Sequence, residues 1–84
     1  MRHARPAALD ELEPLLAQVR ALPGLTEKAR GVFYRKSKAF LHFHEDPAGL
    51  FADARLGADF DRFRVQTAEE QAALVGLLSR YLSD

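Results

Sequence analysis

His42 and His44 stand two residues apart in the run Phe40–Glu45, and the run Leu50–Leu56 that follows carries Asp53 and Arg55. If both runs are strands, alternate side chains share a face, so the two imidazoles lie side by side. Two imidazoles and a nearby carboxylate are a ligand set for zinc or a similar ion. The same residues could instead do acid/base work, with Asp53 orienting the His42 ring.

Which of these side chains meet is a question of register. Asp46, Pro47, Ala48 and Gly49 suit a type I turn: Asp accepts backbone bonds at the first position, Pro presets φ at the second, and Gly closes the fourth. The turn sets Glu45 opposite Leu50, His44 opposite Phe51, Phe43 opposite Ala52, His42 opposite Asp53, Leu41 opposite Ala54 and Phe40 opposite Arg55. Two faces follow. Leu41, Phe43, Leu50, Ala52, Ala54 and Leu56 make an apolar face, while Phe40, His42, His44, Phe51, Asp53 and Arg55 share a mixed one. An even connection through Lys36, Ser37 and Lys38 adds Phe33 and Arg35 to the mixed face and Val32 and Tyr34 to the core. A three-residue loop reverses that assignment. The even loop is preferred because it turns the arginine outward and the valine inward.

The mixed face admits several kinds of function. His-x-His is a short signal, and imidazole opposite carboxylate is also an ordinary cross-strand pair, so a structural role for His42, His44 and Asp53 ranks ahead of a metal site. No nucleophile is evident: Ser37, Ser79 and Ser83 lack recognisable surroundings, and there is no glycine-rich phosphate loop, which favours a non-enzymatic protein without a cofactor. Phe33, Phe40 and Phe51 beside Arg35, Arg55, Lys36 and Lys38 could stack bases and contact phosphates. Against nucleic acid stand Asp53 in the middle of the patch and the missing RNP-type motif. The leading expectation is association: three phenylalanines on a half-open sheet favour a homodimer or a protein partner, or a bound ligand.

The elements that must position these residues are legible from apolar spacing. Leu9, Leu12, Leu16, Val19 and Leu22 recur at helical intervals. Asp10 and Glu13 resemble a capping box, but Pro14 sits where a backbone donor is needed, so the regular helix starts near Pro14 or an earlier turn is kinked there. Residues 1–6 are expected to be a flexible basic terminus in which His3 has no role. Leu25 to Arg30 reads as a connection, Phe60 to Val65 as a fourth strand, and Thr67 with Glu70 as a capping box for a final helix along Leu74, Leu77, Leu78 and Tyr81.

The whole is a single domain, 1–84, of α+β class: a two-layer sandwich with the order helix, four-stranded antiparallel meander, helix. With 84 residues there is room for one core. Twelve basic and twelve acidic side chains cancel, so no global field attracts nucleic acid or an anionic membrane. Zero cysteines exclude disulfides and thiol chemistry, and no apolar run is long enough for a membrane span, so a cytoplasmic location is the default expectation.

Leu22, Pro23, Gly24, Leu25, Thr26 and Glu27, followed by Phe33 and then Lys38, Ala39 and Phe40, resemble the opening of the MmcQ/YjbR-like family. The resemblance covers about the first half of the chain. It implies a small α+β domain in which a helix ends at a Leu-Pro-Gly turn and leads into an antiparallel sheet, with DNA as the proposed partner. It supplies no catalytic residues.

Overall fold

A computed structural model describes residues 1–83. A two-residue strand, β1 (Arg2–His3), leads into helix α1 (Pro6–Arg20). Pro6 opens the helix, where its missing N–H would be unpaired anyway and its fixed φ is already helical. Pro14 lies inside the helix on its exposed side, so the helix runs through it rather than starting there. Ala8, Leu9, Leu12, Leu15, Leu16 and Val19 form the buried stripe. Asp10 and Glu13 act as arginine acceptors, not caps: Arg30 reaches Asp10 Oδ1 and Glu13 Oε1 at 2.9 Å each, and Arg20 bridges Glu13 and Glu27.

The sheet follows as a meander of β2 (Thr26–Ala29), β3 (Val32–Arg35), β4 (Lys38–Asp46), β5 (Gly49–Arg55) and β6 (Phe60–Arg64), each antiparallel to the next, before α2 (Ala68–Leu82). The α+β class and the order helix, strands, helix are as expected, but the sheet has six strands, not four. Thr26, Glu27, Lys28 and Ala29 show no apolar alternation because β2 is a short edge strand with a register shift between Glu27 and Ala29. β1 was hidden for a different reason. It pairs with the far end of β4, Arg2 opposite Glu45 and His3 opposite His44, and the Ala4 N–H donates to the Phe43 carbonyl at 3.0 Å. Residues 1–6, expected as a flexible terminus, thus include a sheet strand and the first residue of α1.

The β4–β5 hairpin has the expected register, with His42 opposite Asp53 and His44 opposite Phe51. The Ala48 N–H donates to Asp46 Oδ2 at 3.0 Å, as the turn chemistry requires. Leu41, Phe43, Leu50, Ala52 and Ala54 are buried, and with Val65, Leu74, Leu78 and the α1 stripe they form one core beneath both helices. Thr67 and Glu70 make the expected capping box.

The β3–β4 hairpin departs from expectation. Its loop is even, with Lys36 and Ser37 at φ +52° and +68° between the paired Arg35 and Lys38, a type I′ turn. However, Tyr34 pairs with Ala39 while Phe33 pairs with Leu41, so Phe40 is an extra residue on β4. A bulge of this kind shifts every later pair by one and exchanges the faces. Phe33 therefore points into the core, 1% exposed, and Val32 pairs with His42 on the outer face. Phe40 is also buried, 3% exposed, with its ring 6.0 Å from that of Tyr81 in α2. The assignment of Phe33 and Phe40 to the mixed face is thereby corrected. Arg35 leaves it too, its guanidinium 5.2 Å from the Tyr81 ring centroid.

Candidate functional site

What remains on the outer face is a row of side chains crossing the sheet. β4 presents His42 and His44 at strand spacing, β5 sets Asp53 opposite His42, and β6 sets Arg62 opposite Asp53. β1 adds His3, whose backbone pairs with that of His44. The His3 and His44 rings stack with centroids 4.8 Å apart, His42 meets His44 edge-on at 4.9 Å, and Phe60 closes the other side of His42 at 4.9 Å.

The polar atoms converge closely. His42 Nδ1 lies 2.9 Å from His44 Nε2, which is 3.2 Å from Asp53 Oδ2. Arg62 grips the same carboxylate with both arms, Nε to Oδ1 at 2.8 Å and Nη2 to Oδ2 at 2.9 Å. One ring nitrogen from each of His3, His42 and His44 lies within 4.8 Å of the other two. Asp53 stands beside this set, so the trio of His42, His44 and Asp53 considered from sequence becomes a trio of histidines with Asp53 next to it.

Burial and charge set the protonation states. Among the described residues Asp53 is the one buried acid, 7% exposed, and Arg62 holds its carboxyl below the usual carboxylate range. Burial pushes His42 and His44 below the ordinary imidazole value of 6.5, with the Asp53 carboxylate opposing. Both rings are therefore neutral at pH 7, with lone pairs available. A neutral His44 bearing its proton on Nε2 can donate toward Asp53 and His42 together, which satisfies the cluster without any ion.

A pH dependence follows from these shifts. Below pH 6.5 the unfolded chain takes up protons that the folded histidines resist, so stability falls as pH drops toward their lowered folded values. The carboxylates, whose ordinary values are 4.5 or below, lose their contribution in a more acidic range. The midpoint of thermal unfolding is expected to be level above pH 7 and to fall below pH 6.5, and the double variant His42→Gln, His44→Gln should remove that first decline. Calorimetry across pH 5–8 checks it.

Of the binding residues expected from sequence, the structure brings His42, His44 and Asp53 together and leaves Phe51 and Arg55 on the same face. Phe51, half-buried, sits opposite His44 on β5, and the Arg55 guanidinium lies 4.5 Å from the Phe60 ring centroid. Phe33, Phe40 and Arg35 belong elsewhere. Sequence reasoning missed three members. Arg62 alternates with Phe63 in a strand that was recognised, and pairing β6 with β5 would have found it. Phe60 shares that strand, whereas His3 carried no local signal.

Among the described residues no helix is long and apolar enough to cross a membrane. Comparison with protein-family models, with curated proteins and with solved structures finds no match.

Proposed function

We propose that this domain is a ligand-binding module whose outer sheet face holds a divalent transition metal, with zinc the best chemical fit, through His3, His42 and His44. The observation that carries this reading is the convergence of one nitrogen from each of three imidazoles, two of which burial keeps neutral. Zn–N bonds of 2.0–2.1 Å in tetrahedral geometry place ligand atoms about 3.3 Å apart. The exposed His3 ring has the freedom to close the remaining gap. Ligation by His44 Nε2 would move that ring's proton to Nδ1, and because protonated imidazole has no lone pair to give, binding weakens at low pH. The Asp53 carboxylate, 3.2 Å from His44 Nε2 and held by Arg62, places a negative charge beside the ion.

Two other readings have less support. The face that motivated a symmetric dimer has given up Phe33 and Phe40 to the core, and among the described residues Met1 is the one exposed large hydrophobic side chain. Nucleic-acid binding, which the MmcQ/YjbR-like resemblance implies, loses the same two rings as stacking surfaces.

Titrating untagged, metal-free protein with zinc, followed by calorimetry and by the imidazole NMR signals, tests the reading. One ion per chain is expected, with all three imidazoles shifted. Asp53→Asn should weaken binding by removing the negative charge beside the ion, and His42→Ala, which removes a ligand, should weaken it more. Imidazole signals that stay in place at saturating zinc would overturn it.

A further inference from the structure

The cationic side chains fall into two groups. Arg5, Arg20, Arg30, Arg62 and Arg64 each lie against a carboxylate. Among the described residues Arg2, Lys28, Arg35, Lys36, Lys38, Arg55 and Arg80 do not, and of these Arg35, Lys36, Lys38 and Arg55 gather in one place, although acids equal bases along the chain. These four line one cavity of about 200 Å³ at the end of the sheet, together with Phe40 and Tyr81, and among the described residues no acidic one lines it. Like charges gathered around a hollow raise one another's energy, and a bound anion relieves that.

Three further features hold the cations in place. The Arg35 guanidinium carbon lies over the Tyr81 ring at 5.2 Å and that of Arg55 over the Phe60 ring at 4.5 Å, cation–π contacts that fix both groups. Lys36 and Ser37 occupy left-handed backbone at the type I′ turn, where Asn-Gly would be less strained, and the turn holds Lys36 at the cavity rim. Arg55 Nε is buried without a hydrogen-bond partner, alone in this among the described side-chain atoms. A buried charged donor lacking an acceptor is a costly defect that an anion's oxygen would repair.

We propose that this cavity is a phosphate-binding site, taking the dianionic phosphoryl group of free phosphate or of a small phosphomonoester between Arg35, Lys36, Lys38 and Arg55. Guanidinium edges and ammonium groups suit phosphoryl oxygens, Arg in forked pairs and Lys as a point charge. The volume admits one phosphoryl group with a small attachment, since whole drug-sized ligands need roughly 300–1,000 Å³. The site shares no residue with the three histidines, although Arg55 and His42 both pack on Phe60.

The test uses protein stripped over a chelating resin, so that phosphate cannot report on a bound metal. Inorganic phosphate and phenyl phosphate are titrated separately while the arginine Nε–H signals are followed by NMR, with chloride at matched ionic strength as the reference. Arg55 and Arg35 Nε–H are expected to shift with phosphate and not with chloride. Tighter binding of phenyl phosphate identifies an organic phosphomonoester as the ligand, and tighter binding of inorganic phosphate identifies the free ion. Arg55→Gln should weaken binding at least tenfold. Lys38→Gln, an exposed change that does not threaten folding, should weaken it several-fold, and Lys28→Gln, outside the cavity, should not. Equal shifts with chloride, equal loss in Lys28→Gln, or a preference for a single-stranded oligonucleotide over both small phosphates would overturn the proposal.

Discussion

Phe33→Ala is expected to destabilise the protein by about 3–5 kcal/mol, the usual cost of emptying a buried phenylalanine site. Val32→Ala, one residue earlier, should cost about 1 kcal/mol or less, since that side chain is only half-buried on the outer face. The contrast tests the bulge directly. Without the extra residue Phe40, Phe33 would lie on the outer face and Val32 in the core, and the two losses would exchange. A domain of this length has about 4–13 kcal/mol in total, so the Phe33 variant should sit near the edge of folding. Urea denaturation of both variants, with midpoints compared at a common slope, reads the difference.

The second large effect is expected at Gly31, which turns β2 into β3 with φ +78° and donates its N–H to Glu27 Oε2 at 2.9 Å. A Cβ there would lie 2.8 Å from Leu9 Cδ2, and Leu9 is part of the buried α1 stripe. Gly31→Ala therefore combines left-handed backbone strain of about 1–2 kcal/mol with overpacking of about 1–3 kcal/mol. Gly24 isolates the two contributions. It has φ +81°, but nothing lies within 4 Å of its would-be Cβ, so Gly24→Ala should carry the backbone strain alone. The difference between the two variants, again by urea denaturation, measures the clash with helix α1.

What the chain revealed in advance depended on how local the signal was. The β4–β5 register was legible because turn chemistry at Asp46 to Gly49 and apolar alternation on both strands agree. The bulge was missed because an inserted residue changes no composition. Its trace is the unbroken apolar run Ala39, Phe40, Leu41, where two neighbouring large side chains both turn inward. β2 was missed because an exposed edge strand has no buried side to pattern it. The site shows the same division. His42, His44 and Asp53 lie on strands whose pairing could be argued, whereas His3 reaches them through a pairing some forty residues distant in sequence. Neighbouring residues carry no mark of such a contact.

The two outer strands of the meander, β2 and β6, have a consequence for how the molecule behaves in a crowded solution. An exposed strand border is a ready template for another chain, and long, flat, apolar borders seed fibres. Neither border here is of that kind. β2 has four residues and a kinked register and carries Glu27 and Lys28. β6 has five and carries Asp61, Arg62 and Arg64. Pairing a second copy at either border would gain few backbone bonds and would crowd charged side chains, so short length, the kinked register and charge together oppose templated growth there.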